Sequence, residues 1–177
     1  MSRIGFRHCD PRFPFLWATT NQPEARWHRA GEGPAHYFSD TPVGAWAEFL
    51  RHEEIKDPID MQGIRRSLWA VELPEATYAV PILPQSQLTG GRASYADCQL
   101  EATRLRNGGA LHIEAPSAAL LAGAARGWIA DPQEEPAPLA RDGVVWILYG
   151  FTTAMVGWPT VESAAPPERV LPLVRHF

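Results

Sequence analysis

The stretch that decides the fold runs from residue 25 to residue 50 and reads ARWHRAGEGPAHYFSDTPVGAWAEFL. Its second half contains the clearest helix start in the chain. Thr41 is a favourable N-cap, and Pro42 occupies the first helical position, where its missing N–H costs nothing. Apolar residues follow at positions 43, 46, 47 and 50, the spacing of a helix that buries one face. The pattern predicts a helix that runs to about residue 54 and is preceded by a short strand over residues 35–39.

Outside this stretch, 17 prolines and 14 glycines divide the chain into short elements, which argues against a helical bundle. Two further helices are predicted, one over residues 94–107 and a small-residue one over 118–126 that Ser117 opens. Further strands are predicted over residues 67–73, 77–83, 110–115, 144–151 and 170–177, and a strand followed by an irregular loop over 6–17. Because strands outnumber helices and connections are short, we expect an α+β fold with a mixed, mainly antiparallel sheet and a few packed helices.

Length and composition limit the number of domains and the classes of partner. The chain has 177 residues, of which 45% are apolar, so we expect a single domain over residues 1–177 that needs no disulfide or metal to fold. The net charge of −4 disfavours a general nucleic-acid binder. The most apolar run, residues 144–151, is far shorter than the roughly 20 residues of a membrane-spanning helix, and no signal-peptide pattern is present. We expect a cytoplasmic protein that binds neither nucleic acid directly nor a membrane.

Several common kinds of site find no support in the sequence. There is no dinucleotide fingerprint, no P-loop and no nucleophile elbow. Two cysteines and six histidines show no metal-ligand spacing, so no metal site is expected. All basic residues except Lys56 are arginines, whose planar forks suit phosphate and carboxylate groups. The remaining candidates for chemistry cluster in the first third of the chain: Arg26, Trp27, Tyr37 and Glu48.

These residues give the stretch its resemblance to the N-terminal signature of RES-domain proteins. In that family an arginine–aromatic pair, here Arg26-Trp27, precedes a glycine-containing turn, here residues 31–34. A strand bearing a tyrosine follows, here Tyr37, and then a helix of the form Ala-x-x-Glu, here residues 45–48. The order of these short motifs carries the resemblance, because each motif alone is common.

Two more segments extend the resemblance over about residues 5–125. The sequence GFRHCDPRF at 5–13 is similar to the family's opening aromatic–arginine pair, here Phe6-Arg7. The sequence LRNGGALHIEAPSAALL at 105–121 is similar to the segment in which a glycine-rich turn leads into a strand that ends in a serine, here Ser117.

The resemblance implies a fold, an activity and a partner. RES-domain proteins are toxins of toxin–antitoxin pairs, and their fold resembles that of the ADP-ribosyltransferases of bacterial toxins. They consume NAD+, some by hydrolysis or phosphorolysis and some by passing ADP-ribose to a protein. The resemblance therefore implies NAD+ as substrate, an antitoxin as partner and, in one version of the reaction, a protein acceptor.

The chemistry of that reaction explains why these residue types are needed. Loss of nicotinamide leaves an oxocarbenium-like ribose, whose positive charge a carboxylate stabilises, and we expect Glu48 to supply it. Arg26 is expected to bind the pyrophosphate with its forked guanidinium. Tyr37 is expected to stack on the nicotinamide, and Trp27 is expected to bind the same dinucleotide. Ser117 and the first amides of the helix predicted after it are expected to bind a phosphate or the carboxamide.

Each of these residues also has an ordinary structural interpretation. Glu48 lies opposite the apolar stripe of its helix, where a glutamate is usually solvated, although the same position permits it to line a cleft. Two other functions remain open on the sequence alone. The chain could be a non-catalytic partner-binding domain with the same fold, or an unrelated enzyme that pairs Glu48 with Glu72 or Glu114, although no spacing supports that pair.

Overall fold

A computed structural model describes residues 3–16, 21–150 and 154–177. The predicted strands over 6–17 and 144–151 therefore each end on a residue outside the described ranges. Eight strands are described: β1 Arg3–Cys9, β2 Ala35–Ser39, β3 Arg66–Leu73, β4 His112–Pro116, β5 Gly127–Ile129, β6 Ala137–Leu139, β7 Val144–Tyr149 and β8 Gly157–Ala164. The α-helices are α1 Pro42–His52, α2 Gln85–Leu88 and α3 Tyr95–Asn107, and 3-10 turns occupy Pro58–Met61, Arg92–Ser94 and Glu168–Leu173.

Six of these strands form one sheet in the order β4-β7-β2-β1-β3-β8, and every neighbouring pair in it is antiparallel. Strands β5 and β6 form a separate hairpin. In the described ranges, parallel pairing occurs only as isolated bridges, such as that between Ala79 and Ile113. The predicted α+β class with a mainly antiparallel sheet and few helices is confirmed.

Helix α1 begins as its sequence predicts. The Thr41 hydroxyl accepts a hydrogen bond from the Gly44 amide at 3.0 Å, and Pro42 is the first helical residue. A Cβ on Gly44 would lie 3.0 Å from the Cβ of Ser39, so the glycine lets the helix start directly against the end of β2. The helix ends at His52, two residues before the predicted end.

Alternation along the strands separates two faces of the sheet. On one face, Tyr37 and Ile147 pack with α3, while α1 packs beside them with Leu68 and the C-terminal 3-10 turn. On the other face, Phe38 and Leu148 form a smaller cluster with residues of β3. Both long helices therefore lie on the same face, side by side, and the space between them is open to a ligand.

Strands β1 and β2 meet at a single registered pair, Phe6 with Ser39, whereas β1 and β3 pair along seven residues. A Cβ on Gly5 would lie 2.7 Å from the Cβ of Phe38, so the close approach of the two strands at this joint requires glycine. Beyond the joint, His8 of β1 and Tyr37 of β2 are not paired, and the strands diverge. The sheet is thus two three-stranded halves with a gap between them.

Three predicted elements are wrong. Residues 118–126 are not helical, because their backbone pairs with distant segments: Ala119 accepts from the amide of Arg175, and the amide of Ala125 donates to Arg141. The predicted strand over 170–177 does not form either: residues 170–173 belong to the 3-10 turn that contains Pro172, and Val174 makes only an isolated bridge with Leu120. Residues 77–83, interrupted by Pro81, form only the bridge at Ala79.

The edge strand β8 was not predicted. Its exposed side chains and Pro159 give no apolar alternation, and a proline is tolerated there because the strand lies at the edge of the sheet.

Candidate functional site

A cavity of about 540 Å³ lies at the gap between β1 and β2 and reaches α1 and Tyr95 of α3. This volume falls within the range of about 300–1,000 Å³ typical of small-molecule sites. Four of the five residues predicted for the site line the cavity: Arg26, Trp27, Tyr37 and Glu48. The fifth, Ser117, lies between two lining residues and contacts Glu48. The fold thus brings together side chains that are spread over 92 positions of the sequence.

Glu48 extends from α1 into the cavity instead of into solvent. Burial raises the pKa of its carboxyl, while the Ser117 hydrogen bond and the charges of Arg51 and Arg26 act in the opposite direction. The two arginines and Ser117 thus favour the charged form of a carboxyl group whose burial disfavours it. Of the two interpretations that the helix pattern allowed for Glu48, the structure therefore supports the one in which it lines a cleft.

Ser117 acts on Glu48 directly. Its hydroxyl donates to Oε1 of Glu48 at 3.1 Å and accepts from the amide of Ala119 at 3.2 Å. The two bonds fix the direction of the hydroxyl proton, so the serine orients the carboxylate. The helix expected after Ser117 does not form, and the helix amides predicted to bind a phosphate are therefore absent. Contact between the Ser117 hydroxyl and a ligand stays a prediction.

Arg26 is 7% exposed, and its guanidinium is largely occupied by the protein itself. Nη1 donates to the carbonyl of Gln87 at 3.1 Å and to the hydroxyl of Ser94 at 2.8 Å, and Nη2 donates to the carbonyl of Gly90 at 2.5 Å. The guanidinium also lies 4.8 Å from the ring centre of Tyr95. These contacts tie the loop before α3 to the cavity wall, a role that the sequence did not indicate.

Arg51 is a cavity residue that sequence reasoning missed. It is 4% exposed, donates to the carbonyl of Ala118, and shares the Gly90 carbonyl with Arg26 through a 2.6 Å bond. Burial and the neighbouring charge of Arg26 lower the pKa of its guanidinium to about 10, so it remains charged at neutral pH. The available signal was its spacing of three residues from Glu48, which places both side chains on one side of α1.

Tyr37 lines the cavity, and its hydroxyl is hydrogen-bonded to the neighbouring segment that carries Trp27 and His28. The hydroxyl accepts from the amide of Trp27 at 3.2 Å and lies 2.9 Å from Nδ1 of His28. Nε2 of His28 lies 2.9 Å from the carbonyl of Pro23, to which only a protonated nitrogen can donate. In the neutral tautomer this leaves Nδ1 as the acceptor for the tyrosine proton, and burial lowers the pKa of His28, which favours that neutral form.

Trp27 has a different environment from Tyr37. Its indole is 1% exposed and belongs to the hydrophobic cluster under α3, and its carbonyl accepts from the hydroxyl of Tyr149 at 2.8 Å. The residue therefore anchors the segment that carries Arg26. Direct contact of Trp27 with a ligand stays a prediction.

Arg7 and Arg66 line the part of the cavity formed by β1 and its partner β3. Nη1 of Arg7 lies 3.3 Å from Nδ1 of His36, and Nη2 of Arg66 lies 3.1 Å from Nδ1 of His8. Burial and the neighbouring positive charges lower the pKa of His8 to about 3 and that of His36 to about 4. Both imidazoles are therefore neutral acceptors at physiological pH.

We expect the free energy of unfolding to fall in acid because of these two histidines. Unfolding restores their ordinary pKa near 6.5, so below that pH the unfolded chain binds protons that the folded chain excludes. Stability falls from about pH 6.5 down to about pH 4 for His36 and about pH 3 for His8. At pH 5 each contributes a loss on the order of 1–2 kcal/mol. Urea unfolding at pH 7.5 and at pH 5 measures this loss of stability, and His8→Gln should make it smaller. Equal stability at the two pH values would contradict the lowered pKa values of His8 and His36.

Other candidate groups lie elsewhere. Glu114 accepts from the indole of Trp146 at 2.8 Å and lies 3.6 Å from Arg3, away from the residues that line the cavity, and Glu72 does not line it either. No group of three or more potential metal ligands is found among the described residues. Where helices are described, none is long and apolar enough to cross a membrane.

Comparison with known proteins gives a match of structure only. No family model matches the chain, and no curated protein matches it. Among solved structures, it is similar to a chain of the crystal structure of the M. tuberculosis MbcT–MbcA toxin–antitoxin complex, with a TM-score of 0.58 and 12% identity. The match covers 92% of this chain and 86% of the other. The chain therefore shares its α+β fold with a protein of that toxin–antitoxin complex.

Proposed function

We propose that the protein is the toxin of a toxin–antitoxin pair and that it cleaves the bond between nicotinamide and ribose in NAD+. The observation that carries the proposal is the Glu48 carboxylate, which is half-buried at the cavity wall, oriented by Ser117 and faced by Arg26 and Arg51. The resemblance of residues 25–50 to the RES signature and the fold shared with a toxin–antitoxin protein support the same activity.

The Glu48 carboxylate suits the charge that develops during this cleavage. Nicotinamide is cationic in NAD+ and leaves as a neutral base, so the departing group needs little help from an acid. The ribose carbon that it leaves becomes positive, and a carboxylate that is partly shielded from bulk water stabilises that charge more strongly than one in water would. The same carboxylate can position the nucleophile that then attacks.

The charges and rings of the cavity also suit a dinucleotide. Its lining holds four arginines and two carboxylates, so its formal charge is positive and opposite to that of a pyrophosphate. These residues are Arg7, Arg26, Arg51, Arg66, Asp10 and Glu48. Tyr37 offers an aromatic surface with its hydroxyl fixed by Trp27 and His28, and stacking of a flat ring on such a surface contributes about 1 kcal/mol.

The acceptor of ADP-ribose is water, phosphate or a protein side chain, and all three share the bond-breaking step. The test is to incubate the protein with labelled NAD+, with and without cell lysate, and to assay free nicotinamide and labelled protein. We expect nicotinamide release in at least one condition. Turnover without lysate assigns water or phosphate as the acceptor, and label on a lysate protein assigns transfer. No nicotinamide in either condition would overturn the proposed activity.

An antitoxin is the expected protein partner. The open mouth of the cavity gives such a partner a direct means of inhibition, because covering it would exclude NAD+. Expression of the chain alone should arrest growth, and co-expression of the antitoxin should restore it. Arrest that survives removal of the Glu48 charge would favour a non-catalytic binding function.

A further inference from the structure

The hairpin formed by β5 and β6 is an apolar element that the rest of the fold leaves uncovered. In the described part of the chain, neither of its strands pairs with the six-stranded sheet, and none of its side chains belongs to the hydrophobic clusters. Trp128 is 73% exposed, and Ile129 and Leu139 are exposed as well. Because a two-stranded hairpin alone is only marginally stable in water, this one lacks the packing layer that usually stabilises such a pair of strands.

Apolar side chains lie on both faces of the hairpin. Trp128 is directly opposite Pro138, so these two side chains share one face. Ile129 and Leu139 alternate with them along the strands and lie on the other face. A single helix or sheet would cover only one of these faces, whereas a groove in a binding partner encloses both. Tryptophan is also among the residue types that contribute most to binding at protein interfaces.

The loop between the two strands adds negative charge to this apolar element. It contains Asp131, Glu134 and Glu135, all of which are exposed, and residues 127–140 include no lysine, arginine or histidine. We call residues 131–135 the acidic tip. A basic surface is its complement. A nucleic acid, an anionic membrane or a second copy of this chain, with its own tip and its net charge of −4, would meet it with like charge.

The root of the hairpin is joined to the wall of the cavity. The amide of Ala125 donates to the carbonyl of Arg141 at 2.9 Å, and the amide of Ser117 donates to the carbonyl of Gly143 at 2.8 Å. Ser117 orients Glu48, and the residues on either side of Ser117 line the cavity. A partner that binds the hairpin is therefore anchored to a segment that leads directly into the cavity wall, without occupying the cavity itself.

We propose that the hairpin, residues 127–139, is the docking surface for the antitoxin, and that the antitoxin binds it with an apolar groove flanked by basic residues. The inference rests on the proposed function, because that function supplies the protein partner. Trp128 and Ile129 fill the groove, and the basic residues pair with the acidic tip. Inhibition comes from covering the mouth of the cavity, whereas the strength of binding comes from the hairpin, so the two depend on different residues.

The first test uses Trp128→Ala and measures affinity by calorimetric titration. The probe is the purified protein whose co-expression restores growth to cells that express this chain. The substitution should weaken binding about 10- to 100-fold, the loss typical of a tryptophan at the centre of an interface. Nicotinamide release without the probe should be unchanged. Trp158→Ala is the matched control, because Trp158 is 50% exposed and lies on β8 at the edge of the other sheet.

Glu134→Gln tests the charge of the acidic tip, and it replaces Trp128→Ala if thermal unfolding shows that variant to be unfolded. It should slow association of the probe about 2- to 5-fold at low salt and less at high salt, because salt screens charges at exposed sites. Glu162→Gln is its control, since Glu162 is an exposed carboxylate on β8. Equal association rates for both variants at low salt would contradict the role of the tip.

The outcomes separate the docking surface from the proposed activity. Weaker binding by Trp128→Ala and not by Trp158→Ala supports docking at the hairpin, even if the chain releases no nicotinamide and the proposed activity fails. Unchanged affinity of a folded Trp128→Ala variant overturns the docking surface while nicotinamide release stands. A dimer of the chain alone that Trp128→Ala dissociates also overturns it, because the occupant is then a second copy. If no co-expressed protein restores growth, the antitoxin and its docking surface are both overturned.

Discussion

Glu48→Gln should reduce nicotinamide release by roughly 10²- to 10⁴-fold while the protein stays folded. The amide has nearly the same shape as the carboxylate and can still accept a bond from Ser117, but it brings no negative charge to the ribose carbon. The KM for NAD+ should change much less than kcat, because the charge acts mainly on the transition state. The measurement is steady-state nicotinamide release, with growth arrest on expression as a second readout.

The same substitution should not destabilise the protein at neutral pH. Burial raises the pKa of Glu48 in the folded state, so ionising it opposes folding above the ordinary carboxyl pKa. Glu48→Gln removes that cost, and its melting temperature should equal or exceed that of the unaltered protein at pH 7. The difference should vanish in acid, where the carboxyl is protonated in both states.

Glu53→Gln is the matched control for both measurements, because Glu53 directly follows α1 and is exposed. It should change neither turnover nor stability. Full turnover by Glu48→Gln would contradict the assigned role. A lower melting temperature for Glu48→Gln at neutral pH would contradict the stated cost of its charge.

Arg26→Ala should lower the free energy of unfolding by about 3 kcal/mol. The change removes a buried guanidinium together with its hydrogen bonds to the Gln87 carbonyl and the Ser94 hydroxyl, and it leaves the Gly90 carbonyl to Arg51 alone. It also removes the cation beside the Tyr95 ring. Urea unfolding at pH 7.5 measures the loss. We expect NAD+ binding to weaken as well, because the loop that Arg26 holds forms part of the cavity wall.

Arg12→Ala provides the contrast for this stability measurement. Arg12 also makes two side-chain hydrogen bonds to Asp10, but its side chain is 79% exposed, so its loss should destabilise the protein far less than the loss of Arg26. If Arg26→Ala kept the stability of the unaltered protein and only lost NAD+ affinity, the guanidinium would be a ligand group and not a structural one.

Local signals in the sequence correctly predicted those helices whose start or end is set by their own residues. The cap and the proline at the start of α1 are local, as are the two glycines that end α3, and both helices form as predicted. The helix predicted over residues 118–126 does not form, because distant residues decide the conformation of this segment. Its small apolar residues suit a helix, but the C-terminal segment and Arg141 pair with its backbone, and pairing over such distances leaves no local pattern.

The site residues likewise fall into those that the sequence identified and those whose role depends on contacts between residues far apart in the sequence. The resemblance to the RES signature identified Glu48 and Tyr37, and the fold places both at the cavity. The pattern did not identify Arg51 or Arg66, because an arginine in a sequence does not reveal whether a carboxylate will lie beside it. The internal partners of Arg26 were equally invisible, since they come from a loop more than 60 residues away.

The joint at Phe6 and Ser39 gives the binding site an unusual origin. Most ligand sites are built from loops at the rim of a scaffold, so their dimensions change readily by insertion and deletion. Here the opening comes from a break in the hydrogen-bond ladder, and the position of Gly5 against Phe38 determines where that break begins. Adapting this cavity to a longer or shorter ligand would therefore require a new strand register, and selectivity for ligand length should evolve more slowly than the surface that meets a protein partner.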